Sequence, residues 1–273
     1  SAAVHTAGKL TLNEEQEVEI AVSAYEASLN LQIWKNYVDE IGVSVIHPGG
    51  TAIGPLQRIQ GTQRFQLGET NLLVYYGEPS PYNPYQEIYL DFIPVGSYID
   101  DGIWKIRLTP IRITDGAFDM WLPAGNVLNS GTGFLNPVEE TTLTIPSTAT
   151  KVITVGAYDA RFDQAAAFSG RGYTRATNQV KPDLVAPGVE IMSCAPGGGY
   201  QVRTGTSMAT PFVTGSAALL MQWGIVNGND AYLYGEKMKA YLIRGARKLP
   251  GFTVYPNPVL GWGALCTANS IPR

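Results

Sequence analysis

Gly205-Thr206-Ser207-Met208-Ala209-Thr210-Pro211 is the stretch whose residue types and order are best suited to chemistry. A glycine turn delivers a serine to the start of a long uncharged run, Thr204 to Asn229, that reads as a helix. The first N–H groups of a helix have no internal acceptor and its dipole end is positive, so a serine there sits beside donors able to hold a developing oxyanion. On this reading Ser207 is the nucleophile and its own N–H is one oxyanion donor. Gly205 permits close backbone approach, and Pro211 falls in the first turn, where a missing N–H costs little. A plainer role is open to the same residues, with Ser207 or Thr206 acting only as the helix N-cap. Local geometry leaves both readings standing.

Other reactive types are sparse. The chain has two histidines and two cysteines, and His5, His47, Cys194 and Cys266 lack metal-ligand spacing, so no metal and no cofactor is expected. The cysteines are too few for a stapled scaffold, although one disulfide between them is possible in principle. His5 reads as an exposed leader residue and His47 as a turn histidine before Pro48. Tyr75, Tyr76, Tyr82 and Tyr85 are candidate contacts of a binding module for carbohydrate or protein, or else rim and core packing.

The elements that must position Ser207 come next. With 273 residues, 45% apolar and 15% charged, the chain can bury one large core or two ordinary ones, which excludes disorder as its main state. A net charge of -4 is too mild and scattered for a phosphate-neutralising surface, so nucleic acid is not an expected partner. Thr204 to Asn229 contains Pro211, Gly215 and several hydroxyls, so a buried helix is expected rather than a membrane span. From Gln16 to Leu122 the apolar residues alternate, as in Val18, Ile20, Val22 and again Leu29, Leu31, Ile33. Further runs lie at Gly42 to Ile46, Arg64 to Leu67, Leu72 to Tyr76, Glu87 to Ile93, Gly102 to Leu108 and Ala117 to Leu122. About eight strands with turn signals between them predict a two-sheet sandwich of jelly-roll type.

Beyond about Asn136 the pattern changes. Val152 to Val155 and Asp183 to Ala186 predict short strands buried on both faces. Ser207 to Ile225 predicts a helix with Val213, Ala217, Leu220 and Met221 on one face, and Tyr234 to Arg247 one with Met238, Tyr241, Leu242 and Ala246 inward. The domain boundary is expected near Phe134 to Thr141. No signal peptide is visible, and the first methionine is Met120, so the chain is expected to be a piece of a longer protein.

Gly205-Thr206-Ser207-Met208-Ala209 resembles the nucleophile motif of the subtilisin-like serine proteases. Val152-Ile153-Thr154-Val155-Gly156-Ala157, Phe168-Ser169-Gly170-Arg171-Gly172, Lys181-Pro182-Asp183-Leu184-Val185-Ala186-Pro187-Gly188-Val189 and Gly261-Trp262-Gly263 resemble further family segments in the family's order. The resemblance covers roughly residues 138 to 273. A jelly-roll insertion before it, with wording such as Leu29-Asn30-Leu31-Gln32-Ile33-Trp34-Lys35-Asn36-Tyr37, is similar to the clostridial spore-germination branch.

The resemblance implies an α/β subtilisin-like core, C-terminal part only, plus an all-β jelly-roll insertion. Its domains would be residues 1–7 as a leader, 8–137 as the insertion and 138–273 as the C-terminal part of the catalytic domain. It implies a serine endopeptidase acting on peptides or proteins through an acyl-enzyme on Ser207, with a histidine as base and an aspartate orienting it. The family's chain order is aspartate, histidine, serine. No aspartate precedes His5, and neither His5 nor His47 fits the base, so the aspartate, the histidine and the second oxyanion donor are expected from a segment N-terminal to Ser1. Asn126, in Pro123-Ala124-Gly125-Asn126, only superficially resembles the oxyanion asparagine. Thr144, Ile145 and Pro146 align with part of the pocket for the residue before the cleaved bond, with Ile145-Pro146 cis. Phe212 stands where many relatives carry a histidine that is not the catalytic one. Without its N-terminal segment the chain is expected to be inactive. No membrane partner is implied, and the resemblance points to a bacterial protein of the spore or cytoplasm. Two other classes fit the sequence: a pseudoprotease, or a jelly-roll binding module.

Overall fold

Apolar and polar side chains alternate strongly enough to carry most of the first half of the chain into strands. In the computed structural model, which describes residues 3–78, 80–123 and 127–272, packing divides the chain between Val138 and Glu139 into two units. In the first unit the strands are β1 (His5–Lys9), β2 (Gln16–Val22), β3 (Leu29–Asn36), β4 (Glu40–Ile46), β5 (Ala52–Ile53), β6 (Thr62–Leu67), β7 (Thr70–Tyr76), β8 (Tyr85–Pro94), β9 (Gly102–Arg112), β10 (Ala117–Trp121) and β11 (Gly133–Phe134). They form two sheets, antiparallel throughout, in the orders β1-β10-β3-β8-β7-β6 and β11-β2-β9-β4-β5.

Burial alternates along all of β3, with Leu29, Leu31, Ile33 and Lys35 inward. The inner faces of both sheets share one core, in which Phe92 and Trp104 meet edge to face with ring centroids 5.1 Å apart. The polar loop before β10 is held by Asp39, whose carboxylate accepts the N–H groups of Thr114, Asp115 and Gly116 at 2.6, 3.0 and 2.8 Å. Gly116 is required there: its φ is +79° and a Cβ would lie 2.2 Å from the Leu10 carbonyl oxygen.

The second unit holds a small sheet in the order β13 (Gln164–Ala165), β12 (Val155–Asp159), β14 (Leu184–Pro187), with β12 and β14 parallel. A hairpin of β15 (Ile191–Cys194) and β16 (Tyr200–Arg203) leads to helix α1 (Thr206–Met221), followed by a single π turn, Gln222–Val226. Helices α2 (Gly235–Gly245) and α3 (Thr267–Ser270) complete the unit. Ala209, Val213 and Leu220 of α1 pack with Ala157 of β12 and Leu184 and Ala186 of β14.

Several expectations are corrected. Residues 5–7 are not an exposed leader: they begin β1, and His5 is 1% exposed. The strand expected over Val152 to Val155 starts only at Val155, because Thr154 turns its N–H to the Asp183 carboxylate at 2.7 Å. Helix α1 is buried on one face only; Phe212, Leu219 and Met221 are exposed, whereas Met221 was expected inward. Cys194 and Cys266, whose pairing the sequence left open, are free thiols.

Candidate active site

Parallel pairing of β12 with β14 brings the chain to Gly188, and Gly188 sets the approach to the serine. Its N–H donates to the Tyr158 carbonyl at 3.0 Å and its own carbonyl accepts the Gly205 N–H at 2.8 Å. A Cβ on Gly188 would lie 2.6 Å from Ala157 Cβ and 2.9 Å from the Gly205 oxygen. Close approach therefore requires glycine at 188. At Gly205 a Cβ would meet nothing nearer than the Met208 sulfur at 3.5 Å, so crowding does not explain that glycine.

Gly205 is the residue that opens α1, and no side chain caps the helix. Neither Thr206 nor Ser207 is the N-cap, which removes the plainer role for both. Ser207 lies in the first turn, is exposed, and makes no hydrogen bond through Oγ or N–H to any described residue. A hydroxyl and a free amide donor thus stand side by side at the positive end of the helix. Pro211 lies in the second turn rather than the first. There its missing N–H deprives the Ser207 carbonyl of its usual helical donor four residues on. Thr210, Thr214 and Ser216 return their hydroxyls to the carbonyls of Thr206, Thr210 and Phe212 at 3.0, 3.2 and 2.9 Å.

The serine opens on a groove of about 490 Å³ lined by Ser207, Thr210, Pro211 and Thr214. Thr144, Ile145 and Pro146 are exposed, lie in a turn-rich loop before β12 and do not line that groove; Ile145-Pro146 is cis. A cavity of about 440 Å³ in the first unit is lined by Ala3, Val4, Ala21 and residues 128–135. Its Thr132 hydroxyl is committed to the buried Glu26 carboxylate at 2.6 Å, and it offers no paired nucleophile and base.

Both histidines are engaged by partners of their own. His5 directs Nδ1 to the Val138 carbonyl at 2.9 Å and Nε2 to Asp119 at 3.0 Å. His47 accepts the Gly49 N–H on Nδ1 at 2.9 Å and sets Nε2 3.2 Å from Asp100. Asn126 lies outside the described residues. Among the four candidate tyrosines, Tyr76 is buried in the core, Tyr85 is half-buried, and Tyr75 and Tyr82 are exposed. No cluster of potential metal ligands occurs among the described residues.

The profile of the Subtilase family, the subtilisin-like serine proteases, matches residues 122–263, and the chain belongs to this family. It is similar to the serine protease AprX of Bacillus subtilis, at 34% identity over 55% of this chain and 36% of AprX. It is also similar to an intracellular serine protease of Paenibacillus polymyxa, at 46% identity over 28% of this chain and 21% of that one. The solved structure of the Clostridium perfringens CspB protease superposes with a TM-score of 0.89 and 37% identity, over 98% of this chain and 56% of that one. The chain thus spans about a third of AprX and just over half of CspB. The family match begins at residue 122, earlier than the expected start near 138, so it takes in Pro123 to Asn126.

Proposed function

We propose that the chain is the C-terminal portion of a subtilisin-like serine endopeptidase, in which Ser207 attacks the scissile carbonyl and its N–H supplies one oxyanion donor. The observation that carries this is the pairing of an unused hydroxyl with an unused amide at the mouth of α1, on an open groove. Ser207 Oγ makes no hydrogen bond to a base among the described residues, and both histidines have partners of their own. The base and its orienting acid come, on this reading, from an N-terminal segment that covers exposed apolar residues of α1 such as Phe212 and Leu219. Without it the chain is inactive, since base and orienting acid are each worth orders of magnitude in rate.

Thr144, Ile145 and Pro146 form part of the wall that receives the side chain before the cleaved bond. The sandwich is a jelly-roll insertion, a reading favoured by β1 to β4 falling alternately into the two sheets, as do β8 to β11. The insertion occupies residues 8–137, with its first strand already begun at His5, and the catalytic part 138–273.

The test is to produce this chain together with the segment that precedes residue 1 and to treat the assembly with a fluorophosphonate. Labelling that is lost in Ser207→Ala supports the protease. An assembled, folded protein that takes no label is a pseudoprotease, and the proposal fails.

A further inference from the structure

Asp183 sits at the start of β14, almost fully buried, between two lysines. Its Oδ2 accepts Lys181 Nζ at 2.8 Å and the Thr154 N–H at 2.7 Å, while Oδ1 lies 2.7 Å from Lys239 Nζ on α2. Both ammonium groups are saturated. Lys181 Nζ also donates to the Val152 carbonyl at 2.9 Å and to the Thr154 hydroxyl at 3.0 Å. Lys239 Nζ donates to the carbonyls of Thr150 and Val152 at 3.0 and 3.1 Å. The Thr154 hydroxyl passes its own proton to the Ser147 carbonyl at 2.5 Å, and the Ser147 N–H donates to the Thr144 carbonyl at 2.8 Å. A continuous path of hydrogen bonds therefore runs from the Asp183 carboxylate to Thr144.

We propose that Asp183 and Lys239 are positioning residues for substrate selection: they hold the loop of residues 144–154 in place, and with it the Thr144, Ile145 and Pro146 wall. The inference rests on the reading of that loop as a pocket wall. Ile153 packs on the core and the Thr154 carbonyl accepts the Asp183 N–H at 2.8 Å, but the outer part of the loop has little else to fix it among the described residues. It joins no strand before Val155, and Ile145 is 89% exposed, so no burial of apolar surface pins its outer end. The ion pair of Lys151 with Glu236, at 3.9 Å, is exposed on both sides and adds little. The buried hub differs because its charges are shielded from water and each donor meets an acceptor. Asp183 also immediately precedes β14, the strand that runs to Gly188, so one carboxylate refers the loop to the backbone that presents Ser207.

Removing Asp183 strands two cations and risks the fold, so the informative site is Lys239, which is 16% exposed at the rim of the hub. In the assembled protease, Lys239→Met keeps the aliphatic stem and removes the three bonds of Nζ. The expected result is a KM raised about 10-fold for a peptide substrate cleaved by the assembled protease, with kcat and fluorophosphonate labelling within about 2-fold. Amide exchange should quicken at Ser147, Ala149 and Thr154 but not along β12 and β14, and Lys239→Arg should restore both readouts. Unchanged KM and exchange in Lys239→Met would overturn the proposal, as would a raised KM accompanied by equal losses in kcat and labelling, which report general unfolding. Ile145→Ala separates the two layers of the argument. If exchange changes as expected in Lys239→Met but Ile145→Ala leaves substrate preference untouched, the wall assignment fails and the role in selection falls with it.

Discussion

His5 Nε2 lies 3.0 Å from Asp119 Oδ1 while its Nδ1 lies 2.9 Å from the Val138 carbonyl oxygen, so both nitrogens of one buried imidazole face acceptors. The ring also stacks on Trp121 with centroids 3.9 Å apart. The clasp ties β1 to β10 and to the end of the unit at Val138. His47 differs, since its Nδ1 accepts the Gly49 N–H at 2.9 Å.

His5→Ala should therefore destabilise the chain by about 2–4 kcal/mol, because a buried carboxylate loses a donor and a carbonyl loses its partner. His47→Asn should cost under about 1 kcal/mol, since the asparagine oxygen can still accept from Gly49. Urea unfolding of the two variants measures the contrast, and equal losses would contradict the assignment of roles.

Lys35 points into the sandwich opposite Gln86, donating to the carbonyls of Asn36 and Asp39 at 3.2 and 2.7 Å. Burial, reinforced by the Arg58 charge, pushes its ammonium down to about 8. Between that value and the ordinary lysine range near 10.5 the unfolded chain binds a proton that the folded chain has released, so stability rises with pH across this window, by at most about 3 kcal/mol. Lys35→Met should abolish the rise. Tyr76, whose phenol burial holds up to about 12, acts only above pH 10 and with the opposite sign. Denaturation of both proteins from pH 7 to 10 reads the difference directly, and a flat or falling difference would count against a desolvated Lys35.

Gly188→Ala places a methyl against Ala157 and the Gly205 carbonyl, where there is no room. Overpacking of this kind costs about 1–3 kcal/mol, and relief requires the Gly205 turn to move. Labelling of Ser207 in the assembled protease should fall by at least about 10-fold, since nucleophile placement is sensitive to shifts near 1 Å. Gly205→Ala meets no such contact but must still take a φ of +155°, so comparison of the two variants separates crowding from backbone conformation.

The long elements were legible because each repeats one period. Leu29, Leu31 and Ile33 predict β3, and the serine motif predicts the start of α1 to within one residue. Strands of two residues, such as β5, β11 and β13, have no period to read. The Lys181, Asp183 and Lys239 hub was missed although Lys181-Pro182-Asp183 stands in the sequence, since a lysine on a distant helix gives no sign of the carboxylate it will meet.

Local order in the chain was enough to establish the family and the strand-rich first half, because these depend on neighbours within one turn or one strand. Tertiary structure alone decided that His5 is a buried clasp, that Phe212, Leu219 and Met221 of α1 are exposed, and that Gly188 rather than Gly205 is the crowded glycine. Each depends on what lies across space, and burial and hydrogen bonding at one residue are set there by groups tens of positions away.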